Sequence, residues 1–248
     1  ITKNLLTNGI NVLTEKPATM NECELNELVN IAKTSSLKYG VIFQNRLNPA
    51  IKVVKRLVEN NQLGDVKICS IKLHWCRFQN YYDDEWHGTW KMDGGVINQQ
   101  AIHHLDAMLW INGPLSSVVA SASNQINKLE AEDTLMALVE FRSGSVGTIE
   151  ASTAIRPIDK EASIFISGTY GFIEVGGIAL NKIIDFNLPK IGIFFAYGVR
   201  NQHSLNQLEF LKNYNKKSNQ KQKYWFTEED YPKEFKMLLE KNKLLFNN

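Results

Sequence analysis

Asn11-Val12-Leu13-Thr14-Glu15-Lys16-Pro17 is the stretch from which the fold of this chain can be read. A short apolar strand pattern ends on a charged pair and a proline. A helical pattern follows from Met20 to Lys33, with Leu25, Leu28, Val29 and Ala32 at helical spacing, and a second strand pattern runs from Tyr39 to Phe43. Strand, helix and strand in succession predict a parallel pair, as at the end of a doubly wound α/β domain. Ligands of open α/β sheets bind at the carboxyl ends of the strands, where Glu15 and Lys16 fall. Pro17 restricts Lys16 to extended backbone and permits a cis peptide. A surface lysine after a strand is the plain alternative.

Upstream, Ile1 to Asn8 reads as a helix end closed by Gly9. The pattern starts mid-element and on Ile, so a preceding piece is expected. Downstream, Asn48-Pro49 opens a helix to about Asn60, with Asn as cap and Pro at the first helical position. Gly64-Asp65 turns the chain into a strand from Val66 to Phe78. A loop from Asn80 to Met92 leads to one helix from Gly95 to Ile111, stopped by Asn112-Gly113-Pro114.

From Ser117 the apolar period changes to two. Strands are expected at Ser117 to Asn124, Thr134 to Phe141, Val146 to Thr153, Ala162 to Ser167, Gly171 to Val175 and Ile178 to Asp185. Arg142-Ser143-Gly144-Ser145 reads as a hairpin turn. Such closely spaced strands make a large, mostly antiparallel sheet, and helices before and after it make this part α+β. Ser204 to Asn213 and Tyr231 to Leu245 look helical. The expected division is residues 1–45 and 46–248.

Composition narrows the classes. With 44% hydrophobic and 22% charged residues, the 248-residue chain is an ordinary globular protein. The net charge of +2 carries no nucleic-acid footprint. The one basic cluster, Lys212 to Lys223, is diluted by Asn, Gln and Ser and reads as a solvated loop. Three cysteines without a CxxC argue against a disulfide framework or a zinc site and fit a reducing cytoplasm. No apolar run approaches the ~18 residues of a membrane span.

Gln99 and His103 are the second candidate pair. Four residues apart on a helix, they share a face, and Asp106 adjoins it, either orienting the imidazole or bonding buried backbone. Histidine, with an ordinary pKa near ~6.5, suits general-base work at neutral pH. A core histidine satisfied by hydrogen bonds is the alternative. His104 points ~100° away and is assigned to packing. No histidine pair has metal-ligand spacing with carboxylates, and no metal is expected. The loop Trp75 to Trp90 holds three Trp, two Tyr and Arg77, residues suited to stacking on sugar or base and to gripping an anion. It could equally fold onto its own side chains. Gly94-Gly95 lacks the GxGxxG spacing of a phosphate cradle and reads as a turn allowing close approach.

Together, Glu15-Lys16-Pro17, Gln44-Asn45-Arg46-Leu47-Asn48-Pro49 and Asp93-Gly94-Gly95-Val96-Ile97-Asn98-Gln99-Gln100-Ala101-Ile102-His103-His104-Leu105-Asp106 resemble the Gfo/Idh/MocA oxidoreductases. Glu132-Asp133-Thr134 and Arg142-Ser143-Gly144 look like that family's sheet, and the resemblance runs in order to about residue 186. Within the family, Arg77 to Gly95 and Gly168 to Gly177 resemble UDP-N-acetyl-2-amino-2-deoxyglucuronate (UDP-GlcNAcA) dehydrogenases. Those enzymes oxidise the sugar 3-hydroxyl during synthesis of bacterial surface polysaccharide, including lipopolysaccharide.

The resemblance implies an α/β remnant of a Rossmann domain followed by an α+β domain with a large, mostly antiparallel open sheet. It implies NAD or NADP as cofactor, NAD being favoured. Lys16, His103 and Gln99 would be catalytic, and Glu15, Lys16 and Arg46 would border the cofactor. Arg77, Gln79, Tyr81, Tyr82, Asn98 and Gln99 would meet a sugar-nucleotide substrate. A cytoplasmic homodimer or homotetramer built through the open sheet is implied, with no nucleic-acid or membrane partner. The chain departs from the pattern in three places. Gln99 stands where the family has Asp or Asn. The Gly-rich fingerprint would lie upstream of Ile1. Tyr197 to His203 looks rearranged. The rival readings are a dehydrogenase of another sugar or inositol, and a truncated non-catalytic remnant or assembly module.

Overall fold

The computed structural model describes residues 1–188; the helices expected at 204–213 and 231–245, the basic loop at 212–223 and the segment 197–203 lie outside the described residues. The chain opens with α1 (Thr2–Thr7), followed by Gly9 at φ +78°. β1 (Val12–Thr14) leads into α2 (Glu22–Thr34), whose first turn is capped by Asn21, its side-chain oxygen accepting the Glu24 N–H at 2.9 Å. β2 (Tyr39–Val41) lies parallel to β1, Val12 opposite Tyr39 and Thr14 opposite Val41. Leu6 of α1 meets Leu28 and Ala32 of α2 in a small core over this pair.

A 3-10 turn at Gln44–Leu47 precedes α3 (Pro49–Glu59). Pro49 sits in the first turn as expected, but Asn48 makes no side-chain cap. Its amide donates instead to the Ala179 carbonyl, tying the start of α3 to a distant loop. The remaining elements are β3 (Val66–His74), α4 (Gly95–Gln99), α5 (Ile102–Asn112), β4 (Leu115–Ser123), β5 (Thr134–Phe141), β6 (Val146–Ser152), β7 (Glu161–Gly168), β8 (Phe172–Gly176) and β9 (Lys182–Asn187). Seven of these strands form one sheet in the order β4-β5-β6-β3-β7-β8-β9. All neighbours are antiparallel except the central β3–β6 pair.

Three expectations need correction. The single helix from Gly95 to Ile111 is two helices, because the N–H groups of Gln100 and Ala101 both turn back to the Val96 carbonyl and the ladder restarts on Ala101. β3 stops at His74 rather than Phe78; beyond it only an isolated bridge joins Cys76 to Ala154. The last strand begins at Lys182 rather than Ile178, because Gly177 at φ +86° and Leu180 at φ +54° make a turn closed by the Leu180 N–H on the Gly177 carbonyl.

The helices lie on one face of the sheet. Ile51, Val54 and Leu57 of α3 and Ala107, Met108 and Ile111 of α5 pack on Ile71, Ile164, Ile166 and Ile173. Each fully buried Leu or Ile here contributes roughly 1.5–3 kcal/mol. Among the described residues no element covers the opposite face, on which Ile68, Val119, Met136, Leu138 and Val146 are exposed. Cys69 is buried in the core, which pushes its thiol up to about 12 and makes it inert. Among the described residues no helix is long and apolar enough to cross a membrane.

Candidate active site

The parallel β1–β2 pair delivers Glu15 and Lys16 to its carboxyl end, and the Lys16–Pro17 peptide is cis. The break between α4 and α5 faces it. Gln99 is the last residue of α4, and the Lys16 ammonium donates to its backbone oxygen at 2.9 Å and its side-chain oxygen at 3.0 Å. The two contacts span 83 residues of sequence. His103 stands one turn further on, in α5, with Nε2 3.3 Å from Gln44 Nε2 and Nδ1 buried without a partner among the described residues. Its ring meets the edge of Phe43. Lys16, Gln99 and His103 are therefore brought together where the parallel pair meets the α4–α5 junction.

The electrostatics separate the two titrating groups. Burial lowers the Lys16 pKa, while the negative charges of Asp93 and Glu15 work against that shift. Burial also lowers His103, and the nearby Lys16 charge pushes it the same way. At neutral pH the imidazole is uncharged and can accept a proton. Gln99 contributes neutral acceptors where a carboxylate would have made an ion pair.

Asp106 neither orients His103 through a hydrogen bond nor bonds backbone. It receives Arg46, whose Nε and Nη2 reach its two oxygens at 2.7 and 2.5 Å. That guanidinium also lies over the rings of Phe43 and Trp110. Arg46 thus braces the turn that carries Gln44. Glu15 is exposed at the rim.

The aromatic loop is held both by its own rings and by contacts to other segments. Arg77 donates to Asp159 at 3.1 Å and to the Cys76 carbonyl at 2.7 Å, beneath Trp75 and Tyr81. Gln79 accepts the Lys128 N–H at 2.8 Å and so pins the loop to another. Tyr82 is buried, its hydroxyl 2.7 Å from Thr153, and burial pushes it up to about 12. Asn98 donates to the Asp93 carbonyl at 2.9 Å. Tyr81 stays half-buried, meeting Tyr82 edge to face and lying tilted against His87. His104 is packed away against Trp75, as expected, and burial drives its imidazole down to about 3.

Two contributors escaped the sequence reading. Gln44 reaches His103, although the residue was visible only as part of a longer motif. Asp93 is buried with one oxygen on the Gly88 N–H at 2.7 Å. Its position just before a helix start was the sole signal, and that pattern normally marks a cap. Among the described residues no cluster of three or more His, Cys, Asp or Glu is placed to hold a metal ion.

The pattern of the GFO/IDH/MocA C-terminal domain matches residues 51–174, half of the chain. The chain belongs to the Gfo/Idh/MocA oxidoreductase family. Among solved members, the WlbA dehydrogenase of Bordetella pertussis, in complex with NADH and UDP-GlcNAcA, is 32% identical with a TM-score of 0.73. The match covers 75% of this chain and 54% of that one. The Chromobacterium violaceum WlbA dehydrogenase, with the same two ligands, is 33% identical with a TM-score of 0.72, over 75% of this chain and 55% of its own. An uncharacterised oxidoreductase of Synechocystis sp. is 29% identical over 143 residues, 52% of this chain and 38% of that protein. The chain thus spans about half, or less, of these Gfo/Idh/MocA relatives.

Proposed function

We propose that this chain is the substrate-binding and proton-handling part of a nicotinamide-dependent dehydrogenase. Its substrate would be a UDP-N-acetylhexosaminuronate, oxidised at the 3-hydroxyl in bacterial surface polysaccharide synthesis. Residues 1–45 would close a Rossmann domain and residues 46–248 form the substrate domain. The observation that carries the reading is the Lys16–Gln99–His103 cluster at the carboxyl edge of a parallel strand pair. The likeness to two WlbA dehydrogenases supports the substrate class.

Glu15 and Lys16, at the carboxyl end of the parallel strands, would border the ribose and nicotinamide of a dinucleotide. When bound, NAD (or NADP) supplies a hydride acceptor. The chain's own residues manage the proton. Neutral His103 would take it from the sugar hydroxyl at Nε2, once the hydroxyl displaces the Gln44 amide from that nitrogen's lone pair. Lys16, held by Gln99, donates a hydrogen bond to the same oxygen as negative charge gathers there. Tyr81 would meet the sugar or base beside them. The exposed Ile68, Val119, Met136, Leu138 and Val146 support assembly with a second copy through the open sheet face.

The test is NADH formation by the intact protein from UDP-N-acetylglucosaminuronic acid, with Lys16→Met and His103→Asn beside the parent. Loss of a positioned acid or base is expected to lower kcat by ~10²–10⁴. Turnover of inositol or a free sugar, but of no UDP-sugar, would refute the substrate class. Full activity in either variant would refute the site.

A further inference from the structure

Asp93 is an unusual group to find behind this cluster. It is buried, and among the described residues only one carboxylate oxygen has a partner, the backbone N–H of Gly88. The other oxygen, Oδ1, is buried with no hydrogen bond to the described residues. No cation forms an ion pair with it among the described residues. A buried carboxylate left half-satisfied is costly and calls for a compensating charge. Lys16 is in the converse position: its ammonium is bonded to two neutral oxygens of Gln99 and to no carboxylate.

Asn98, adjacent to Gln99, donates to the Asp93 backbone carbonyl, so the segment that receives Lys16 is also the one anchored to Asp93. We propose that Asp93 is a positioning residue for the Lys16–His103 pair: its buried, half-satisfied carboxylate supplies the field that keeps Lys16 charged as a hydrogen-bond donor and leaves proton acceptance to His103. Burial keeps Asp93 from touching a ligand itself, so it acts through Lys16. This inference rests on the reading of Lys16 and His103 as the proton-handling pair.

The charges around the two groups are few. Lys16 faces Asp93 and Glu15, and His103 faces Lys16, Asp106 and Glu15. Asp93 faces His87, Lys16 and Asp84, and its carboxyl is raised by burial and held back by Gly88, His87 and Lys16. Tyr81, Tyr82 and Glu132 in turn feel its charge. Glu15 is exposed and its field is screened, which leaves Asp93 as the buried anion acting on Lys16.

The experiment reads Lys16 directly, without a substrate. The full chain is acylated with trace acetic anhydride across a pH series, and Lys16 labelling is quantified by mass spectrometry against Lys160, an exposed lysine. Only the neutral amine reacts. Asp93→Asn keeps the acceptor for Gly88 and removes the charge, so a merely structural role would leave labelling unchanged. The expected result is about tenfold faster Lys16 labelling at a pH below its midpoint, the effect of losing one nearby opposite charge. Asp93→Glu should restore the parental rate. Equal labelling of Lys16 in the parent and Asp93→Asn overturns the proposal, whatever the enzyme's substrate proves to be.

If Asp93→Asn does not fold, Lys16→Met gives the reciprocal reading, because coupling between two sites is mutual. Carbon-13 NMR should then show the Asp93 carboxyl titrating at higher pH than in the parent. No movement there also overturns the proposal. Activity that fails while labelling shifts would refute the proposed substrate and leave the role of Asp93 standing.

Discussion

Replacing Gly95 with alanine would test how the α4–α5 junction is held. Gly95 opens α4 at φ +79°, and Gly94 before it is also left-handed at φ +74°. A non-glycine residue there costs about 1–2 kcal/mol in backbone energy. An added Cβ would also overlap the carboxylate of Glu132, which is buried. That carboxylate accepts the Ile97 N–H at 3.3 Å, while the Glu132 carbonyl accepts the Val96 N–H at 3.0 Å. Displacing it forfeits a hydrogen bond to a charged group, worth about 1.5 kcal/mol at the weak end because the contact is long. The sum is about 3 kcal/mol, or a fall of roughly 6–12 °C in Tm for a domain of this size. Urea unfolding followed by tryptophan fluorescence measures it. In Gly95→Ala with Glu132→Ala the overlap is gone, so the double variant should be at least ~1 kcal/mol more stable than additivity predicts. A single variant within ~0.5 kcal/mol of the parent, or strict additivity, would refute the reasoning.

Two further outcomes follow from other buried groups. His104 takes up a proton near ~6.5 when unfolded but only at about 3 when folded, so the unfolded state binds more protons in between. Stability should therefore fall as pH drops from ~6.5 toward 3, by up to ~1.4 kcal/mol per unit from this residue, and His104→Leu should flatten the slope of urea midpoint against pH. Arg46→Met should cost about 3 kcal/mol by leaving the buried Asp106 carboxylate unpaired, and Arg46→Met with Asp106→Leu should recover most of it by the same unfolding assay; equal loss in both would mean that Arg46 contributes packing alone.

The segments that read correctly from sequence are those whose information is local. Val12 to Thr14 and Tyr39 to Val41 alternate with an amphipathic helix, so their parallel pairing follows from connection length and handedness. The period of two in β5 and β6 predicted their pairing through Ser143-Gly144, where φ is +84°. The central β3–β6 pair was less legible, since Ile71 and Ile149 must meet across 78 residues and neither strand carries a mark naming its partner. The break at Gln100–Ala101 was invisible for the same kind of reason. Its residues favour helix, and what interrupts the ladder is the double use of one carbonyl, Val96, in a short helix anchored by Glu132.

Sequence by itself determined the residue types available for chemistry: a lysine at the end of a strand, and a glutamine and a histidine four residues apart. Backbone periodicity and Pro17 set their local settings. Tertiary structure alone decided which of them meet. It put the Lys16 ammonium on two oxygens of Gln99, gave Asp106 to Arg46 rather than to His103, and buried Asp93 with an oxygen to spare. Those outcomes depend on distances of a few ångströms between segments far apart in the chain, and on burial that strengthens charge over those distances. Neither quantity is written in any local run of residues.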